Sequence, residues 1–214
     1  MTAGLVGIAL VSLGMVLTPG PNMIYLVSRS ITQGRRAGLI SLSGVALGFT
    51  VYLTATCLGL TALFAYVPAA YTALKLAGAA YLLWLAWNIV KPGGISAFEA
   101  RDLPVERPRK LFAMGLLTCL LNPKIAILYL SLLPQFIDPA LGHVLLQSLA
   151  LGSVQILIGT LVNALIAVSA GALAAFLATR PGWLRVQRYV TGSVLGVMAV
   201  HMAADRTRAA TALG

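Results

Sequence analysis

The sequence predicts an all-α integral membrane protein of six transmembrane helices, arranged as two inverted three-helix repeats with broken first and fourth helices. Three observations carry this: the composition, the spacing of apolar runs, and a pair of matching interruptions. Of 214 residues, 59% are hydrophobic and 9% are charged, with a mean hydropathy of +0.93, whereas soluble domains carry roughly 25% charged residues. So few polar side chains cannot cover a globular surface, which excludes an ordinary soluble enzyme, a disordered chain and a disulfide-stapled secreted domain. The net charge of +10 comes from 15 Lys and Arg against 5 Asp and Glu. Most of the basic residues lie in short segments between apolar runs, where they act as topology signals, so no nucleic-acid partner is expected. Cys57 and Cys119 are far apart and embedded in apolar runs, without a CxxC or a His at ligand spacing. They are expected to be small core residues, and neither a metal nor a cofactor is expected.

A bilayer of about 30 Å needs about 20 apolar residues per crossing. Six runs reach that length, at 4–28, 38–64, 69–90, 111–134, 144–178 and 186–204. The first 28 residues carry no charged side chain, so the basic start of a secretory signal is missing and the first run is expected to remain as a span. In the second run, Gly44 and Gly48 form a GxxxG that lets helices approach closely. The third holds Tyr81, Trp84 and Trp87, ordinary interface or core aromatics like Tyr71 and Trp183, with Lys75 near its start expected to snorkel outward. The fifth is too long for a straight perpendicular span, so a tilt, a break or an amphipathic start is expected there. No connection is long enough for a soluble domain. The chain is therefore one transmembrane domain, 1–214, with repeat one at about 1–92, a cytoplasmic connection at about 91–110 and repeat two at about 111–206.

Orientation follows from the basic residues at span ends. Arg29, Arg35 and Arg36 lie in the first connection, Lys91, Arg101, Arg107, Arg109 and Lys110 in the third, and Arg180, Arg185 and Arg188 in the fifth. The second and fourth connections, around Val67 and from Asp138 to Gly142, carry no Lys or Arg. Both termini are therefore expected to face outward, against the dissent of Arg206 and Arg208 after the last span.

The interruptions are the most informative feature. Leu17-Thr18-Pro19-Gly20-Pro21-Asn22 in the first run is echoed by Leu117-Thr118-Cys119-Leu120-Leu121-Asn122-Pro123-Lys124 in the fourth, each Thr followed four positions later by an Asn with an adjacent Pro. A fainter echo links Gly78–Leu85 with Gly192–Ala199. A repeat unit of three helices, an odd number, inserts its second copy upside down. Inverted repeats with broken helices at matching positions define secondary transporters, whose substrate site lies where the breaks meet. Two coincident structural kinks are the plainer alternative.

Pro19 and Pro21 remove two backbone donors, and Gly20 offers no side chain to resist unwinding. Within hydrocarbon such a break survives only against protein or beside a wet cavity, and the Thr18 and Asn22 side chains are suitable partners for the freed groups. Lys124 sits about halfway along the fourth run, where an ammonium costs at least about 2.5 kcal/mol. All the acids, Glu99, Asp102, Glu106, Asp138 and Asp205, lie in connections or at span ends. Lys124 must therefore turn to carbonyls freed at the breaks, to water or to a substrate carboxylate, unless it snorkels. A cationic substrate would need a buried acid, so a zwitterion fits better: its carboxylate on Lys124 or a half-helix N-terminus, its ammonium on unwound carbonyls. In the fifth run Gln155, Gly159 and Asn163 stand at i, i+4 and i+8 on one helix face, either lining the cavity or bonding between helices. His143 and His201 are isolated.

Thr18-Pro19-Gly20-Pro21-Asn22, Gly34-Arg35-Arg36-Ala37-Gly38, Gly78-Ala79-Ala80-Tyr81-Leu82 and Leu121-Asn122-Pro123-Lys124 followed by Pro134-Gln135-Phe136 closely resemble the LysE/RhtB family of bacterial amino-acid exporters, in order and over nearly the whole chain. The resemblance implies export of amino acids or related metabolites across the bacterial cytoplasmic membrane, driven by the proton gradient as in an antiport, by a six-helix protein able to form a homodimer. It also implies that Pro19, Gly20, Pro21, Asn22, Asn122, Pro123 and Lys124 are the positions to test. Some members carry an acidic residue after a glycine early in the second span, whereas here Gly48 is followed by Phe49, which weighs against a carboxylate-based coupling site. The alternatives are an accessory membrane subunit or an intramembrane enzyme. The enzyme's nearest Ser/His pair, Ser43 with His201, lacks the glycine of a GxSG, since Ser41 stands there.

Overall fold

The computed structural model describes residues 2–66 and 104–178 throughout, with isolated positions between 76 and 91 and between 182 and 203. Most of the third and sixth runs, including much of the Gly78–Leu85 and Gly192–Ala199 echo together with Lys75 and His201, lies outside the described residues. Among the described residues every regular element is helical. Helix α1 spans Thr2–Leu17, α2 Pro21–Gln33, α3 Arg35–Tyr66, α4 Pro108–Leu120, α5 Pro123–Ile127 and α6 Val144–Ala178. From Leu128 to Phe136 the chain continues α5 through a widened π turn and then a tight 3-10 turn.

Prolines decide where these helices stop. Pro19 has no N–H to give the carbonyl of Met15, and Pro21 has none for Leu17, so α1 ends at Leu17. A residue before proline avoids the helical region, and Gly20 is fully extended before Pro21 opens α2 (φ −164°, ψ 177°). Asn122 is likewise extended (ψ 106°) before Pro123 opens α5. The axis turns by 53° between α1 and α2, and by 52° between α4 and the segment running from α5 to Phe136. The two predicted breaks are therefore present, at matching positions and with matching angles.

Among the described residues two helices, over Arg35–Gly59 and Val144–Ala172, are long and apolar enough to cross a membrane alone, and each bent pair adds another span if counted as one. The fifth run, expected to tilt, break or start amphipathically, contains no break: α6 is a single helix of 35 residues. It contains no proline, and nothing else in its sequence interrupts the ladder. Leu157, Leu161 and Leu165 on its outer face are exposed, as lipid-facing residues would be. Trp84 and Trp87 are also exposed, at 56% and 67%.

Small residues set the packing. Gly34 joins α2 to α3 with φ of 87°, a left-handed conformation that favours glycine. Where α3 crosses α4, a Cβ on Gly44 would collide with the backbone of Phe112, one on Gly115 with the backbone of Ser41, and one on Gly48 with the Cys119 side chain. The predicted GxxxG thus lets two backbones touch. Helix α6 packs across α1, α2 and α3, and the buried core runs through Ile8, Leu26, Val45, Phe49, Leu128, Tyr129 and Leu151.

Candidate functional site

The break in the first half leaves carbonyls that need donors, and Lys124 supplies them. Its Nζ donates to the carbonyl oxygens of Met15 and Thr18, each at 2.8 Å. The Met15 carbonyl is the one that Pro19 deprives of its helical donor; it otherwise accepts only a 3.3 Å contact from the Thr18 N–H. Lys124 is 5% exposed, so it does not snorkel. Its stem lies against Gly20, where a Cβ would stand 2.9 Å from Nζ. The side chain that caps one break thus comes from the other.

The second break is closed by its own residues. Asn122 Oδ1 accepts from the Lys124 N–H at 3.0 Å and caps α5. That N–H would otherwise go to the Leu120 carbonyl, which instead accepts from the Tyr52 hydroxyl at 2.8 Å. Tyr52 stacks on Tyr129, with ring centroids 5.7 Å apart, and the Tyr129 hydroxyl donates to Gln155 Oε1. An Asn122→Ala protein should lose about 1 kcal/mol of stability, the usual worth of such a cap, and should melt at a lower temperature in detergent with helical content unchanged by circular dichroism.

A small cavity of about 20 Å³ lies where the breaks meet α3 and α6, room for roughly one water. Asn22, Lys124, Gln155, Gly159 and Asn163 line it, so the α6 stripe faces the breaks. Its apolar wall is formed by Met15, Val16, Met23, Phe49, Ile125 and Leu128. Both amide atoms of Asn22, Asn163 Oδ1 and Ser12 Oγ are buried without hydrogen-bond partners, while Asn163 Nδ2 donates to the Gly159 carbonyl at 2.7 Å. Each unpaired polar atom costs about 1–3 kcal/mol when buried, and the four gathered around one cavity make a lining suited to a polar solute.

The other predicted residues serve the frame. Thr18 is buried and its hydroxyl turns back to the Gly14 carbonyl at 2.8 Å. Thr118, its repeat partner, does not line the cavity, nor do Pro19, Gly20, Pro21, Asn122 and Pro123, which shape the breaks. Ser12 and Phe49, which line the cavity, and Tyr129, which bonds Gln155, were not expected in those places, since a lone Ser, Phe or Tyr inside an apolar run carries no local signal. Arg29, taken as a topology signal, is 3% exposed. It donates to the Pro104 carbonyl at 2.8 Å and lies over the Tyr25 ring. Ser43 is exposed on α3 and bonds its own helix at the Ile40 carbonyl, while His201 lies outside the described residues.

A small cavity where two bent helices meet, with a few polar side chains set into an otherwise apolar lining, is the arrangement expected of a membrane carrier. The family model for LysE type translocators matches residues 13–206, and the chain belongs to that family. It is a multi-pass membrane transporter rather than an enzyme. It is 30% identical to a homoserine/homoserine lactone efflux protein of Salmonella typhimurium, over 89% of this chain and 91% of that protein. It is equally 30% identical to an uncharacterized membrane protein of Pseudomonas aeruginosa, over 88% and 86%, and to a leucine efflux protein of Salmonella choleraesuis, over 60% and 61%. No solved structure matches the chain.

Proposed function

We propose that this chain is a secondary active exporter of small zwitterionic solutes, with neutral amino acids as the substrate class, in the bacterial cytoplasmic membrane. The observation that carries the proposal is the buried Lys124 ammonium at the meeting point of the breaks, bonded among the described residues to carbonyls alone. A carboxylate is its natural charged partner, and the chain places none of its acids in the middle of an apolar run. Lys124 serves as the carboxylate anchor or titrating group, Asn22 and Asn122 as hydrogen-bonding partners at the breaks, and Gln155, Gly159 and Asn163 as the facing wall. The names of two relatives agree with this substrate class, since homoserine and leucine both carry uncharged side chains.

The matching bends of 53° and 52° and the repeated Thr-to-Asn spacing support two three-helix units of opposite orientation in a six-helix carrier. Export is driven by the proton gradient, with the working form a homodimer and both termini outside, as the basic residues at span ends indicate. The cavity admits roughly one water in this state, so solute entry requires the breaks and α6 to separate, as alternating access demands.

Cells loaded with dipeptides, expressing this chain or an empty vector, test the reading directly. Mass spectrometry of the medium should show one or a few neutral amino acids appearing faster with the protein present. Equal rates with the protein demonstrably in the membrane would overturn it.

A further inference from the structure

The carbonyls of Met15 and Thr18 converge on one nitrogen, each 2.8 Å away. Neither regains its ordinary helical donor, because Pro19 lacks an N–H and the chain turns away before Asn22 restarts as part of α2. Gly20 leaves the space through which an ammonium reaches them. An ammonium has three donors and no acceptor, so these two oxygens form a seat for any R–NH3+ group, in a place where water is scarce.

We propose that this seat is the binding site for a primary ammonium group on the solute, and that Lys124 occupies it as a tethered stand-in whenever the carrier is empty. The proposal rests on the exporter reading in one respect, that the solute carries a primary ammonium. On arrival the solute's ammonium takes the two carbonyls, and the displaced Lys124 Nζ turns to the solute's carboxylate. Before and after the exchange each buried charge has a partner, and the net charge of the site stays at one positive unit. An amine without a carboxylate would leave two ammonium groups and one seat, so the parent protein rejects it. Removing the lysine inverts that preference: the seat opens to simple amines, and a zwitterion finds no partner for its carboxylate.

The test uses purified parent and Lys124→Met proteins in detergent, melted in ethylammonium chloride or tetramethylammonium chloride at equal ionic strength. Methionine keeps the apolar stem that packs on Gly20. Ethylammonium should raise the melting temperature of Lys124→Met by about 2–4 °C and leave the parent unchanged. Tetramethylammonium, which has no N–H, should move neither. Equal effects of the two salts on Lys124→Met, or an equal ethylammonium shift in the parent, would overturn the proposal. If Lys124→Met does not fold alone, adding ethylammonium during extraction should restore monodisperse protein, and a yield indifferent to it would count against the seat. The readout needs no transport: amine binding without amino-acid efflux would retain the seat and remove the exporter, and the converse would remove the seat alone.

Discussion

A Lys124→Met protein that inserts and folds should export its solute about 10- to 100-fold more slowly than the parent. That range corresponds to losing one hydrogen bond to a charged group, about 1.5–3 kcal/mol. The loss should fall on transport more heavily than on folding. In the empty carrier Lys124 caps only two carbonyls, at Met15 and Thr18, and methionine preserves the packed stem. During transport its ammonium holds the solute's carboxylate at the meeting point of the breaks. Efflux rates from cells, normalised to the amount of protein in the membrane, check this. A rate equal to the parent's would make Lys124 a structural cap and nothing more.

The second large effect falls on folding. Gly44→Leu should cost at least the about 1–3 kcal/mol typical of overpacking and should leave little folded protein after extraction. The position offers no room, because a Cβ there would already overlap the Phe112 carbonyl and approach the Leu116 N–H at 2.8 Å. Those contacts are backbone, which cannot turn aside as a side chain would. Gly59 on the same helix is the control, since a Cβ there meets nothing within 4 Å. Gly59→Ala should melt at or above the parent temperature, given alanine's better helix propensity. Size-exclusion profiles and melting curves of the two variants should therefore diverge sharply.

These effects also show which parts of the molecule the sequence could reveal. Both breaks were legible because proline acts on its own backbone: Pro19, Pro21 and Pro123 remove donors whatever surrounds them. The spacing of Gln155, Gly159 and Asn163 marked one polar face of α6 but left cavity lining and interhelical bonding both open; all three lie around the small cavity. The sequence left freed carbonyls, water or a substrate carboxylate as partners for Lys124, with snorkelling as the alternative, since no acid stands in the middle of a run. Which carbonyls, Met15 and Thr18, depended on how α1 meets the start of α5, and that is tertiary. Ser12, which lines the cavity, and Tyr129, a core residue bonded to Gln155, were silent for the same reason, as nothing local reveals what a lone Ser or Tyr in an apolar run will face. Arg29 could not be told from the other basic residues at span ends by sequence; here it is folded inward onto the Pro104 carbonyl. The two Thr of the echoed motif differ in their surroundings: Thr18 is fully buried and Thr118 only partly, a difference their shared spacing to an Asn does not encode.

The central claim is that the meeting point of the two breaks recognises a solute by its carboxylate through Lys124. Proteoliposomes containing the purified protein, preloaded in parallel with a neutral amino acid that cells export through it and with the carboxamide of that amino acid, test this most directly. The two solutes differ only at the group Lys124 would hold. The account predicts efflux of the amino acid about 10-fold or more faster than that of the carboxamide, in keeping with one charged hydrogen bond, and no such preference in Lys124→Met. Equal efflux of the two from the parent protein would contradict it.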